Sequence, residues 1–232
     1  MLSKNKCAAV LVCAGSGKRM GENCGDKLML DLCGRPVVSY VIEAYAKSPS
    51  IDYIVLVTRD SMMEEYDALL RRFGNDIPYA IVAGGKERMD SVVNGVRRVP
   101  NRFTHVAIAD GARPLIRCEE IEKTIKAAFK DGAAVLGATV TDTIKKVREN
   151  SILKTVPRED LAAMQTPQVF EREEYLICAT AAKKLSTNFT DDASIYEKFG
   201  KRVTFVEGRR DNLKITVPED IAILKAIMEE RK

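Results

Sequence analysis

A length of 232 residues is enough for one α/β domain over 1–232, with an appendage and an ordinary core. Hydrophobic residues at 46% and charged residues at 30% are ordinary globular values. The net charge of +4 is mild and interspersed, which speaks against a nucleic-acid-binding face and suits a small anion held by a few placed cations.

No apolar run approaches the ~20 residues of a membrane span, and no charged-then-apolar leader opens the chain, so no signal peptide is expected. The cysteines at 7, 13, 24, 33, 118 and 178 form no C-x-x-C pair. That argues against a zinc site or disulfide framework and for reduced thiols in a cytoplasmic protein.

Apolar, β-branched runs alternate with stretches of helical period. Cys7–Val12 reads as a strand and leads into a loop with Gly15, Gly17, Lys18, Arg19 and Gly21. Helices are expected over 36–47, 62–73 (Ser61 as N-cap), 88–99 and 119–130, and strands over 51–57, 79–82, 103–109 and 133–140. This alternation means βαβ units and a mostly parallel sheet covered by helices on both faces. The pattern breaks over 141–168, where 143–156 reads as a hairpin turning near Glu149-Asn150-Ser151 and no long helix is expected. An excursion of this size from a compact sheet is usually functional. Helices over 172–184, 191–199 and Glu219–Glu230, with a late or edge strand over 203–206, complete the reading.

In an open parallel sheet, ligands bind beyond the carboxyl ends of the strands. Three such loops carry glycine, acid and cation together: the Gly15/Gly17 loop, Gly84-Gly85-Lys86-Glu87-Arg88 with Ser91, and Asp110-Gly111-Ala112-Arg113-Pro114. The first is neither standard phosphate loop. A dinucleotide fingerprint wants glycine where Met20 stands, and no register gives G-x-x-x-x-G-K-[ST]. It is a longer glycine–basic loop running to Lys27, long enough to wrap a triphosphate. The plain alternative is a tight strand-to-helix turn with solvated cations.

Asp110 at a strand end can hold Mg²⁺, which takes one or two carboxylates plus phosphate oxygens, or can simply make an Asx turn. Ser91 reads as a helix cap or a ligand contact, and Arg113 as a phosphate clamp or a surface residue. His105, the sole histidine, lies within a strand and reads as structural, so a Ser–His or Cys–His nucleophile is not expected. Cations, a metal and positioning remain, and these are what phosphoryl or nucleotidyl transfer needs.

The motifs occur in a specific order. They are Gly15-Ser16-Gly17-Lys18-Arg19-Met20 with Lys27, Gly84-Gly85-x-x-Arg88-x-Asp90-Ser91-Val92, Asp110-x-x-Arg113-Pro114 and Asp142-Thr143-Ile144-Lys145. Thr166-Pro167-Gln168, Thr190-Asp191-x-Ala193-Ser194 and Asn212-x-Lys214-Ile215-Thr216-x-Pro218-Glu219-Asp220 follow. Over essentially the whole chain this set resembles the 2-C-methyl-D-erythritol 4-phosphate cytidylyltransferases of non-mevalonate isoprenoid biosynthesis. The resemblance implies a Rossmann-like fold, a protruding β-hairpin arm at about 141–160, and a homodimer joined through that arm. It implies transfer of CMP from CTP to an alditol phosphate with Mg²⁺ as cofactor, and no nucleic-acid or membrane partner.

By position, the resemblance makes Arg19, Lys27 and Lys214 catalytic. It gives Ala14, Gly15, Ser16, Gly17, Lys18, Gly85, Arg88, Ser91 and Asp110 to the nucleotide. It gives Arg113, Thr143, Arg158 and Lys214 to the sugar phosphate, with Arg158 reaching in from the partner's arm, and Asp110 and Asp211 to the metal. Lys214 and Arg158 carry no signal of their own; alone, Lys214 reads as a surface lysine. Asp26 stands where the family usually has proline, which predicts a less rigid and more acidic approach to Lys27. Other departures are Cys13, Lys86, Ala109 and Gly111. Two alternatives stand beside this reading: a cytidylyltransferase for another alditol phosphate such as ribitol 5-phosphate, and a non-catalytic nucleotide-binding protein on the same fold.

Overall fold

The computed structural model describes residues 5–15, 26–185, 187 and 189–231. In chain order, β1 (Cys7–Val12) is followed by a two-residue ladder, β2 (Asp31–Leu32) and β3 (Arg35–Pro36), and by α1 (Val37–Ala46). Next come β4 (Ile51–Thr58), α2 (Met63–Phe73), β5 (Tyr79–Ala83), α3 (Arg88–Arg98), β6 (His105–Asp110), α4 (Cys118–Asp131) and β7 (Ala133–Thr139). The chain then forms β8 (Ile144–Arg148), β9 (Ser151–Val156), β10 (Ala162–Glu171), α5 (Arg172–Ala182), α6 (Asp192–Lys198), β11 (Thr204–Glu207) and α7 (Glu219–Glu230).

Seven strands form one sheet in the order β11-β7-β10-β6-β1-β4-β5. All neighbours pair in parallel except β10, which is antiparallel to both β6 and β7. The expected mostly parallel sheet is therefore present, with one strand the sequence reading did not contain. β10 carries Gln165, Thr166, Pro167 and Gln168 in a central position, where proline and polar runs normally argue against a strand.

Side chains of β1 alternate between two cores, as the period of two requires. Cys7, Ala9 and Leu11 join α1, α2, α4 and α7 on one face; Ala8 and Val10 join α3, α5 and α6 on the other. The second face needs a glycine. A Cβ on Gly95 would lie 2.6 Å from Val10 Cγ1 and Val57 Cγ2, so α3 sits closer to β1 and β4 than any other residue allows.

Ser61 is not the cap of α2. It lies in a 3-10 turn, Asp60–Met62, and α2 begins at Met63 without a side-chain cap. The hairpin forms where expected. β8 and β9 pair antiparallel across Glu149 and Asn150, whose φ values of 50° and 63° are those of a two-residue turn with both central residues left-handed. The hairpin projects as its own two-stranded sheet and leaves Val147, Ile152 and Leu153 more than half exposed.

Candidate active site

The carboxyl ends of β1, β5 and β6 open onto a cleft of about 590 Å³. That is ordinary for a small-ligand site. Its walls include Ala14 and Gly15 after β1, Lys27, then Gly85, Arg88 and Ser91, then Asp110, and finally Lys214 and Thr216. Loops that are far apart in sequence thus converge as the switch-point rule requires.

The loop after β5 is shaped by close approach. A Cβ on Gly84 would meet Ala14 Cβ at 2.5 Å, and one on Gly85 would meet Asp90 Cβ at 2.2 Å. Ser91 is not the helix cap, because α3 starts three residues earlier, behind Glu87. Instead its Oγ accepts the Gly85 N–H at 2.9 Å and donates to the Glu87 carbonyl at 3.1 Å. Ser91 therefore holds the glycine loop against the helix.

Asp110 ends β6 with its side chain 12% exposed. Its carboxylate lies 2.8 Å from Lys214 Nζ, 3.5 Å from Arg113 Nε and 3.9 Å from Arg88 Nη2. Burial alone pushes this carboxyl up, but Lys214, Arg88 and Arg113 outweigh burial and hold it below the usual carboxylate range. The Asp110 N–H donates to Thr166 Oγ1 at 3.2 Å, so β10 sets the carboxylate's backbone.

Arg88 also bonds Asp192 Oδ2 at 2.7 Å, and Tyr175 donates to the other oxygen of Asp192 at 2.7 Å. Burial pulls the Arg88 guanidinium down, yet Asp192 and Asp110 lift it above its ordinary value. Arg113 Nη1 donates to the Asn212 carbonyl at 2.8 Å. Burial lowers its pKa, and Asp110 offsets this only in part.

Lys214 stands on a segment without regular structure that a buried amide pair locks down. Asn212 Nδ2 donates to Gln165 Oε1 at 3.0 Å, and Gln165 Nε2 donates to the Arg209 carbonyl at 2.8 Å. The Ile215 N–H donates to the Ala112 carbonyl at 2.9 Å, joining this segment to the Asp110 loop. Gln165 and Asp192 are missed by the sequence reading, and Asn212 is marked only as part of a motif, without its role. Their signal was weak: buried polar residues whose partners lie far along the chain.

Lys27 Nζ donates to the Ile215 carbonyl at 2.8 Å, next to Lys214. Asp26 does not loosen the approach to Lys27. Its carboxylate accepts the Leu28 N–H, Arg59 Nη2 and the Tyr66 hydroxyl, so this end of the loop is tied on three sides.

Other expected residues are placed differently. Ser16, Gly17, Lys18 and Arg19 lie outside the described residues. Arg113 stands behind Asp110 rather than in the cleft wall. Thr143 and Arg158 belong to the exposed arm, where Arg158 donates to the Thr141 carbonyl of its own chain. His105 lies outside the cleft, edge-on to Phe129 with ring centroids 4.8 Å apart.

The two candidate metal ligands differ. Asp110 faces the cleft and suits a cation that draws its remaining oxygens from substrate phosphates. Asp211 does not fit, because its oxygens accept Arg209 Nε at 3.0 Å and Arg231 Nη2, and it is absent from the cleft walls. No cluster of three or more His, Cys, Asp or Glu side chains suited to a metal occurs among the described residues.

Comparison with known proteins agrees with this arrangement. Residues 7–230 match the 2-C-methyl-D-erythritol 4-phosphate cytidylyltransferase family. The enzyme of that name from Caldanaerobacter subterraneus subsp. tengcongensis is 41% identical over 227 residues, covering 96% of this chain and 99% of its own. Its counterpart from Clostridium botulinum strain Langeland is 38% identical over 230 residues, covering 99% of each. The crystal structure of 4-diphosphocytidyl-2C-methyl-D-erythritol synthase from Anaerococcus prevotii superposes with a TM-score of 0.87 at 26% identity, covering 97% of this chain and 96% of that one. The chain belongs to the 2-C-methyl-D-erythritol 4-phosphate cytidylyltransferase family.

Proposed function

We propose that the protein transfers CMP from CTP to 2-C-methyl-D-erythritol 4-phosphate, releasing pyrophosphate and 4-diphosphocytidyl-2-C-methyl-D-erythritol. The observation that carries this reading is the cleft itself: the Asp110 carboxylate ringed by Lys214, Arg113 and Arg88, with Lys27 also lining the cleft. A phosphate oxygen of the alditol attacks the α-phosphorus of CTP in line. The α–β bridging bond breaks and pyrophosphate leaves with its electron pair. Little covalent chemistry is asked of the protein, so positioned cations do the work as charge shifts to the leaving group.

In this reading Arg19 and Lys27 neutralise the α-phosphate, and the backbone from Gly15 through Lys18 cradles the triphosphate. Ala14, Gly85 and Ser91 surround cytosine, and Arg88 faces the nucleotide's phosphates. Lys214 and Thr143, with Arg158 of the partner subunit, grip the alditol phosphate, while Arg113 backs Asp110. Mg²⁺, held by Asp110 and phosphate oxygens, supplies charge neutralisation when bound. Asp211 is left to its arginines.

We further propose one domain over 1–232, a cytoplasmic location and a homodimer through the arm. The uncovered Val147, Ile152 and Leu153 support an arm that another subunit covers. No described helix is long and apolar enough to cross a membrane.

Pyrophosphate release tests the reading. The assay pairs CTP with methylerythritol phosphate, ribitol 5-phosphate and other alditol phosphates, with ATP and UTP as nucleotide controls. Turnover confined to CTP and methylerythritol phosphate is expected. Faster turnover of ribitol 5-phosphate would reassign the acceptor, and no turnover with any pair would leave a nucleotide-binding protein.

A further inference from the structure

Three donors converge on the carboxylate of Asp26. Oδ1 accepts the Leu28 N–H at 3.0 Å, while Oδ2 accepts Arg59 Nη2 at 2.9 Å and the Tyr66 hydroxyl at 3.3 Å. The side chain is 4% exposed. Arg59 follows directly on β4, and Tyr66 is a fully buried residue of α2. A carboxylate taken out of water needs such partners, and losing one strands the rest. This clamp is more than a turn requires, since the Leu28 bond alone would cap the 3-10 turn Lys27–Met29.

What the clamp holds is the base of Lys27. Asp26 fixes the residue before Lys27, through the side chain, and the residue after it, through the N–H. The far end of the lysine reaches the Ile215 carbonyl, beside Lys214. The ammonium is thereby confined to the wall between Ile215 and the cleft. We infer that Asp26 is a positioning residue for the reaction: it never touches substrate, but with Arg59 and Tyr66 it anchors Lys27 so that its ammonium meets the α-phosphate. This rests on the role given to Lys27 in the proposed function.

The test is steady-state kinetics of Asp26→Asn, alone and combined with Lys27→Ala. The amide keeps an acceptor for Leu28 but turns an NH₂ toward Arg59 and Tyr66. In the otherwise unchanged enzyme, kcat is expected to fall by about tenfold or more, the scale on which misplacing a reacting group slows an enzyme, with the KM for CTP little changed. With Lys27 already alanine, Asp26→Asn is expected to cost nothing further, because both changes act through one side chain.

An unchanged kcat in Asp26→Asn overturns the inference, and so does an equal fold-loss with and without Lys27. Tyr66→Phe, which deletes one donor and keeps the buried ring, is the second variant should Asp26→Asn fail to fold. Its kcat is expected to drop only when Lys27 is present, and no drop overturns the inference. An inactive unmodified protein removes the assigned reaction, and this inference with it. An active protein indifferent to Asp26 and Tyr66 removes the inference alone.

Discussion

Replacing Asp110 by asparagine removes the negative charge that Lys214, Arg113 and Arg88 share and changes the shape little. At an effective dielectric constant of about 20, unit charges at the observed separations attract by roughly 6, 5 and 4 kcal/mol for Lys214, Arg113 and Arg88. These are gross attractions. Desolvation offsets much of them, and water screens Lys214 and Arg88, whose side chains are each 35% exposed. The lower end of the cost of breaking a buried pair, about 3 kcal/mol, is therefore the expected loss. At ~2–4 °C per kcal/mol for a chain of this size, Tm falls by 6–12 °C in the absence of ligand.

Metal-free pyrophosphate brings new negative charge to the same cations. The gap between variant and wild type should therefore narrow as it is titrated in, and differential scanning fluorimetry reads both effects. A ligand-free Tm within about 2 °C of wild type would refute the argument, because it would mean that Asp110 does not hold the cations together. A gap that stays constant with ligand would refute the claim that substrate phosphates occupy the same field.

Lys27→Ala should lower kcat by on the order of 10²-fold while raising the KM for CTP far less, as loss of one transition-state donor does; a near-normal kcat sinks the assigned role. Mixed dimers of Lys27→Ala with Arg158→Ala should regain activity over either variant alone, because one of the two sites then holds both native residues; lack of complementation counts against an arm that crosses between subunits. Acid should destabilise the fold. The folded pKa of Asp110 lies below its unfolded value of about 3.9, so its contribution is complete above that value and is lost as pH falls through the folded one. Urea titrations from pH 6 to pH 3 should show stability dropping below about pH 4, and dropping less in Asp110→Asn; identical slopes for the two proteins would contradict this.

The first half of the chain was legible because its strands are short apolar runs between segments of helical period, and the glycine, acid and cation loops fall where such strands end. β10 was not. Its Gln165, Thr166 and Gln168 are buried although polar, because each serves a distant partner: Asn212, the Asp110 N–H, and the first turn of α6. Local pattern cannot show that kind of satisfaction. Lys214 was hidden for the same reason, since its partner Asp110 comes from another part of the chain, and only the resemblance singled it out. Asp26 was noticed but misread. A lone acid in a loop suggests looseness until Arg59 and Tyr66 are seen to face it.

The antiparallel strand also bears on how the chain is made. Strands β1, β4, β5 and β6 pair only with one another on their side of the sheet, and all lie within the first 110 residues. β7 has no such company, because both its neighbours, β10 and β11, follow it in the chain. Until residues 162–171 arrive, a nascent chain therefore carries two open strand edges, those of β6 and β7, which β10 alone will later join. Open edges are templates for wrong pairing. The step most open to wrong pairing is thus the docking of β10 between β6 and β7, which needs both edges to stay free until it arrives.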